Sequence, residues 1–284
     1  MQKKKKPRSL REALSGVLTE KELAELQTSY DSLGNIAVIE IPKKLAKKER
    51  KIAKALMEVN SAFKTVCRKL SGRKGKYRVQ PLKVIGGKKS FLAHYRESGC
   101  AFEFDASKVF FSPRLSSERL RIAKQIKPGE VIGALFAGVG PYPIVFAKNS
   151  PMALAYAVEL NPSAFKWLKK NIALNKAQEK IAVIKGDVKK VVPKKLNGLC
   201  DRVVMPLPHT GEDFLKEAFM CLKPSGGIIH FYEIVEKRDS FEKPLRAIRN
   251  TAKKLHKEIR VLQMQRVRDF SASKMQIVVD FLVK

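Results

Sequence analysis

Hydrophobic and polar positions run through this chain with two different rhythms, and the change falls near residue 105. Over residues 8–28, Leu10, Leu14, Val17, Leu18, Leu23 and Leu26 recur among charges, which predicts a helix or a pair of helices. Gly34-Asn35 then introduces the apolar run Ile36 to Ile41, closed by Pro42, as a strand. Residues 44–70 are strongly basic, and Ile52, Ala55, Leu56 and Val59 at helical spacing start an amphipathic helix there. A second apolar stretch follows at Phe63, Val66 and Leu70, then the cationic loop 71–76. Short strands are expected at 77–79, 83–85, 90–95 and 101–105, with Gly86-Gly87 and Glu97-Ser98-Gly99 as turns between them.

From Ser112 onward, helical and strand patterns alternate. A helix over 116–127 is stopped by Pro128-Gly129, and the strand 131–135 runs into the glycine-rich turn Phe136-Ala137-Gly138-Val139-Gly140-Pro141. Helices are expected at 142–148, 162–175, 211–222 and 245–255, and strands at 153–158, 181–184, 201–205 and 227–232. Repeated strand–helix units imply an α/β domain with a mostly parallel sheet that takes ligands at the carboxyl ends of its strands. Two final strands, 259–267 and 275–283, are joined by a short turn around Ser271-Ala272-Ser273 and should pair antiparallel. The expected organisation is a small basic α+β domain over 1–105, followed by the α/β domain over 106–284.

Composition narrows the function. Apolar runs fall far short of the ~20 residues that a membrane helix needs, and no apolar segment follows the basic start Met1 to Pro7 as a secretory signal would require. The cysteines at 67, 100, 200 and 221 are scattered, with no CxxC pair, which argues against a metal site or a disulfide framework and fits a reducing cytoplasm. Fifty-eight Lys and Arg stand against 27 Asp and Glu, a net charge of +31 spread along the whole chain. Such a field attracts polyanions, and nucleic acid is the usual partner.

The glycine-rich turn carries the chemistry. A strand, a glycine turn, a helix and a second strand ending in Glu159 form the plan of a nucleotide-type cofactor site, because glycines admit the ligand and a carboxylate accepts from a ribose diol. The third glycine of a dinucleotide fingerprint is missing, since proline follows Gly140, and no phosphate-loop lysine is present. With Gly186-Asp187 further on, the set suits S-adenosylmethionine better than NAD. The turn would face the methionine part, Glu159 the ribose and Asp187 the adenine amino group.

The segments Phe110-Phe111-Ser112-Pro113-Arg114-Leu115-Ser116-Ser117-Glu118-Arg119, Phe136 to Pro141 and Asn171-Ile172-Ala173-Leu174-Asn175 resemble the archaeal-type tRNA (guanine-37 N1)-methyltransferase family. Gly34 to Pro42 and Tyr77-Arg78-Val79 are similar to that family too, so the resemblance covers nearly the whole chain apart from the starting lysine tract. The Ser-Pro-Arg-Leu segment separates it from the related aminocarboxypropyl transferases of wybutosine synthesis. The resemblance implies a class I methyltransferase (Rossmann-like) domain behind a small RNA-facing domain; the oligomeric state is left open by the sequence, with a monomer expected. The implied reaction transfers methyl from S-adenosylmethionine to N1 of guanosine-37 in tRNA, next to the anticodon.

Methylating N1 requires removal of its proton, so a carboxylate base and a cation near O6 are the groups to look for. By resemblance, Glu118 is the base, Arg78 lies near O6, Phe110 helps hold the flipped base, and Arg114, Arg119 and Pro208 contact the tRNA or the target base. The cofactor would lie against Phe136, Ala137, Gly138, Gly140, Glu159, Leu160, Asp187 and Pro206. The chain departs from the family pattern twice. Ala134 stands where Asp is usual, and Pro206-Leu207-Pro208 where Asn-Leu-Pro is usual, with His209 following. Rival readings are a tRNA-binding paralogue with weakened or absent catalysis, and an enzyme acting on an already modified, wyosine-pathway guanosine.

Overall fold

The computed structural model describes residues 6–73, 75–239 and 241–284. The lysine tract up to Lys5, and Lys74 in the cationic loop, lie outside the described residues. The chain divides into two compact units. One comprises the residues up to Glu97 together with Ala101–Pro113, and the other Ser98–Cys100 together with Arg114–Lys284, so the main change of unit follows Pro113 and not residue 105.

In the first unit, α1 (Leu10–Leu14) begins where Ser9 Oγ accepts from the Glu12 amide. Helix α2 (Glu20–Glu25) begins at a capping box in which Thr19 and Glu22 satisfy each other's amides. Strands β1 (Tyr30–Leu33), β2 (Ile36–Ile39), β3 (Thr65–Lys69) and β4 (Leu82–Gly87) form a sheet in that order. The helix α3 (Glu49–Val59) is the crossover that makes β2 and β3 parallel. It buries Ile52, Ala53, Ala55 and Leu56 in a core shared with Leu10, Leu14, Ile39, Phe63 and Val66. Strands β5 (Leu92–Glu97) and β6 (Cys100–Asp105) make a separate two-stranded ribbon.

Gly34-Asn35 ties these pieces together. Gly34 is left-handed (φ +66°), and a Cβ there would fall 1.8 Å from the His94 carbonyl oxygen. The Asn35 side chain accepts from the His94 amide at 2.7 Å and donates to the Leu92 carbonyl at 3.1 Å. The strand expected at 77–79 is not formed. Arg78 is left-handed (φ +52°) and its amide closes a turn on the Gly75 carbonyl at 3.0 Å, so the backbone cannot extend there.

The second unit follows the alternation. Its elements are α4 (Ser116–Ala123), β7 (Val131–Leu135), α5 (Pro141–Asn149), β8 (Leu154–Glu159), α6 (Pro162–Leu174), β9 (Ile181–Lys185), α7 (Val188–Val191) and β10 (Arg202–Met205). They continue with α8 (Leu215–Cys221), β11 (Gly227–Glu236), α9 (Glu242–Lys254), β12 (Ile259–Asp269) and β13 (Lys274–Val283). Among the described residues the sheet order is β12-β13-β11-β10-β7-β8-β9. Strands β11, β10, β7, β8 and β9 are parallel, while β13 and β12 pair antiparallel at the edge. From β7 the chain winds first through β8 and β9 and then back to β10 on the other side. That reversal opens a crevice at the carboxyl ends of β7 and β10.

Gly34→Ala should destabilise the first unit by about 2 kcal/mol or more, through left-handed strain plus the steric clash. Faster hydrogen exchange in β2 and β5, with α6 unchanged, is the expected readout.

Candidate active site

At the end of β7 the chain makes its tight turn with left-handed backbone at Phe136 (φ +59°), Gly138 (φ +59°) and Gly140 (φ +94°). A Cβ on Gly140 would meet Leu168 at 2.7 Å and Ile144 at 2.8 Å, so glycine is needed where α5 starts. Pro141 suits the first position of that helix, where no amide donor is required. The Ala137 amide donates to the Val158 carbonyl at 2.9 Å and pins the turn to β8. Asn171 donates from its side chain to the Val139 carbonyl at 2.9 Å, which gives the Asn171–Asn175 segment a physical task.

Glu159, the last residue of β8, closes the cradle. One of its oxygens accepts from the Gly138 amide at 2.7 Å and the other from the Asn161 amide at 2.6 Å. Burial pushes its pKa up, and these backbone donors oppose the rise. Each carboxylate oxygen can accept a second hydrogen bond, as a ribose diol demands. Phe136 adds an apolar ring edge-on to Phe214 at 4.9 Å, and Leu160 is half-buried beside Glu159. The Asp187 carboxylate caps α7 by accepting from the Lys189 amide at 3.0 Å, and the Gly186 amide is bound to the Glu159 carbonyl at 3.0 Å. A carboxylate able to accept from a diol, a left-handed turn and an aromatic ring at the carboxyl ends of the adjacent strands β7 and β8 fit an adenosyl group. Pro206 and Pro208 are half-buried after β10, where Leu207 turns back on the Met205 carbonyl at 2.7 Å.

Glu118 sits in the first turn of α4 and is only 4% exposed. Its carboxylate receives four donors: Arg121 twice at 2.8 Å, the Tyr232 hydroxyl at 2.6 Å and the Gln265 amide at 3.1 Å. Arg121 also donates to Asp280 at 2.6 Å. Asp280 lies 2.6 Å from His230 Nδ1, and His230 Nε2 lies 2.8 Å from an Arg202 nitrogen. Arginine can only donate, so His230 accepts at Nε2 and carries its proton on Nδ1, toward Asp280. Arg202 ends the chain of contacts on Glu130 at 2.7 Å. Burial pulls the His230 pKa below 6.5 in spite of Asp280. Burial alone would raise the Asp280 pKa, but the bonds from His230 and Arg121 outweigh it and hold it at about 2.

In the first unit, Arg78 and Phe110 line an open pocket together with Asp31, Lys69, Arg73 and Gln80. The Arg73 guanidinium covers the Phe110 ring at 4.4 Å. Burial pulls the Arg78 pKa down, though an arginine remains charged at physiological pH. Arg114 is exposed. Arg119, expected to contact tRNA, is 1% exposed and lies 5.8 Å over the Tyr142 ring. A guanidinium so enclosed supports α4 against α5 and cannot reach a phosphate in solvent.

Residues 93–262 match the TRM5/TYW2 methyltransferase domain, and residues 10–90 match the TYW2 N-terminal domain. The chain belongs to the TRM5/TYW2 methyltransferase family. It is 37% identical to the tRNA (guanine(37)-N(1))-methyltransferase Trm5b of Pyrococcus abyssi, over 91% of this chain and 76% of that protein. A solved complex of aTrm5 with tRNALeu superposes with a TM-score of 0.86 at 30% identity, covering all of this chain and 82% of that one. A structure of Methanocaldococcus jannaschii TYW2 in complex with AdoMet superposes with a TM-score of 0.70 at 25% identity, over 90% of this chain and 99% of that one.

Ala134, the departure from the family pattern, lies inside the sheet near the glycine turn. It is 1% exposed between Val204 and Ala157, and the nearby Gly138 amide is satisfied by Glu159. Among the described residues no cluster of His, Cys, Asp and Glu could hold a metal ion, and no helix is long and apolar enough to cross a membrane. The residues around Glu118 escaped the sequence reading. Arg121, three positions along the same helix, could have been found from i,i+3 spacing. Tyr232 and Gln265 could not, being 114 and 147 residues away on strands.

The His230–Asp280 pair makes stability acid-sensitive. Both groups have folded pKa values below their ordinary 6.5 and 3.8, so the unfolded chain binds more protons as pH falls. Stability contributed by His230 is present above pH 6.5 and lost below it; that of Asp280 is lost between 3.8 and about 2. Urea midpoints should therefore fall steadily below pH 6.5, and His230→Asn should flatten the upper part of that decline.

Proposed function

We propose that this chain transfers the methyl group of S-adenosylmethionine to N1 of guanosine-37 in tRNA. The observation that carries this reading is the Glu159 carboxylate closed on the Gly138 amide at 2.7 Å, a nucleoside cradle in a chain whose relatives bear that activity in their names. S-adenosylmethionine, when bound, supplies the methyl group. Glu159 accepts from its ribose, Asp187 from its adenine amino group, and Phe136, Ala137, Gly138, Gly140, Leu160 and Pro206 line the rest of its seat.

Glu118 receives the N1 proton. About four lone-pair positions exist on a carboxylate, and four donors already fill them. The guanine N1–H therefore takes the place of one donor. Gln265 is the one to yield, since its 3.1 Å bond is the longest and it comes from the edge strand β12. Arg121 and Tyr232 then hold the carboxylate in orientation. By the family resemblance, Arg78 would be the cation for the charge that moves onto O6 and Phe110 a ring for the extruded base. The net charge of +31 holds the tRNA body through phosphates, with Arg114 among the exposed contacts. We infer that the protein works as a monomer in the cytoplasm.

Purified protein incubated with unmodified tRNA and labelled S-adenosylmethionine should place the label at guanosine-37. Tight tRNA binding with no label at 37 in any G37-bearing tRNA would sink the proposal and favour a silent tRNA-binding paralogue. Glu118→Gln should lower kcat by about 100- to 10,000-fold while tRNA affinity changes little. Equal loss of both would make Glu118 a structural group only.

A further inference from the structure

The loop after β10 and the tip of the β12–β13 hairpin bring together three residues that the reaction described above does not use. Phe270 is 36% exposed at the hairpin tip. An exposed aromatic is unremarkable on a mobile loop, but this one is held. The Phe270 and Ser271 amides both donate to the Lys274 carbonyl at 2.9 and 3.0 Å, and the Lys274 amide returns to Ser271 Oγ at 3.1 Å. The Lys237 amide donates to the Ser273 carbonyl at 2.7 Å and fixes the tip to the end of β11.

The ring's neighbours have a particular chemistry. The Arg268 guanidinium lies 5.8 Å over the Phe270 ring, with its Nε bound to Gln276 at 2.9 Å. The His209 ring stands 5.3 Å away at 73°. His209 directly follows Pro208, whose carbonyl accepts from the Ile234 amide at 3.0 Å. The group therefore begins at the carboxyl end of β10, the same end of the parallel sheet as the cofactor turn after β7. Around it, the carboxylates of Asp269 and Glu236 are each engaged by cations: Lys237 and Arg266 on the first, Lys274 on the second. Arg266, Arg268, Lys237 and Lys274 outnumber Asp269 and Glu236, so positive charge is in excess around the ring.

A rigid, solvent-facing ring flanked by a guanidinium and an imidazole is a platform for a nucleobase. Stacking on such a ring tolerates any base, and the surplus cations receive the phosphates on either side. A protein partner would need a wider apolar surface with fewer charges than Ser271, Ala272, Ser273 and the surrounding lysines and arginines provide. We propose that Phe270, with His209 and Arg268, seats an unpaired nucleotide of the RNA strand that carries the target base. This rests on the reading of tRNA as substrate and adds a contact to a second base.

The test measures binding of unmodified tRNA without cofactor, so that it is independent of turnover. Phe270→Ala should weaken tRNA binding by about 5- to 100-fold, and Phe270→Trp should restore it to within about threefold of wild type. Affinity for S-adenosylmethionine, measured by calorimetry, should be the same in all three proteins. A tRNA affinity in Phe270→Ala within twofold of wild type would overturn the proposal. So would a parallel loss of cofactor affinity, which would mean a collapsed loop, or a loss of self-association in light scattering with tRNA binding unchanged, which would assign the ring to a second copy of the chain. Wild-type protein that binds tRNA but leaves guanosine-37 unmethylated would defeat the proposed reaction and leave this comparison of affinities standing.

Discussion

A chain of buried polar groups runs through the second unit: Glu130, Arg202, His230, Asp280, Arg121 and Glu118, linked at 2.6 to 2.8 Å. It joins the start of β7 to β10, β11, β13 and finally α4. Charges taken out of water cost several kcal/mol each, so such a chain contributes little net stability unless every member is paired. What it contributes is register. Arg202 on β10 can meet His230 on β11, and His230 can meet Asp280 on β13, only in the observed pairing of those strands. The antiparallel hairpin added at the sheet edge is thereby tied to the helix that carries Glu118. The orientation of the Glu118 carboxylate depends on strand pairings made far away in sequence.

The cofactor cradle works by a different economy. Few side chains are involved, and most of the bonds are to backbone. Gly138, Asn161 and Gly186 give their amides to Glu159, and Asn171 takes the Val139 carbonyl. Each of these bonds has a main-chain atom on one side. The proline pair at 206 and 208 follows the same logic: proline lacks an amide hydrogen, and the Pro208 carbonyl is met by Ile234.

Periodicity made the alternating elements of the second unit legible, and the Ser271-Ala272-Ser273 turn made the closing antiparallel pair legible as well. The glycine turn and Glu159 could be joined because they are close in sequence and their chemistry is complementary. Tyr77 to Val79 misled for a local reason: a valine and an aromatic favour a strand, but the turn closing on Gly75 puts Arg78 in left-handed backbone. Arg119 misled for a tertiary one, since a basic residue in a basic chain gives no sign that a tyrosine ring will enclose it. His230 carries no motif, and its two partners are visible only once β11 lies between β10 and β13.

The sheet ends at β12, whose outer edge has no strand beside it among the described residues. Leu262 and Met264 are 44% and 43% exposed there, a composition that invites another strand to dock. Bulges between Val261 and Gln263 and between Arg266 and Arg268 break the flat ladder, and Arg260, Arg266 and Arg268 add like charges along it. These features are a guard against edge-to-edge aggregation. Part of that guard is ionic and is screened within roughly 8 Å at physiological salt. Colloidal stability of this protein is therefore set by its counter-ions: concentrated stocks will tolerate dilute buffer better than brine.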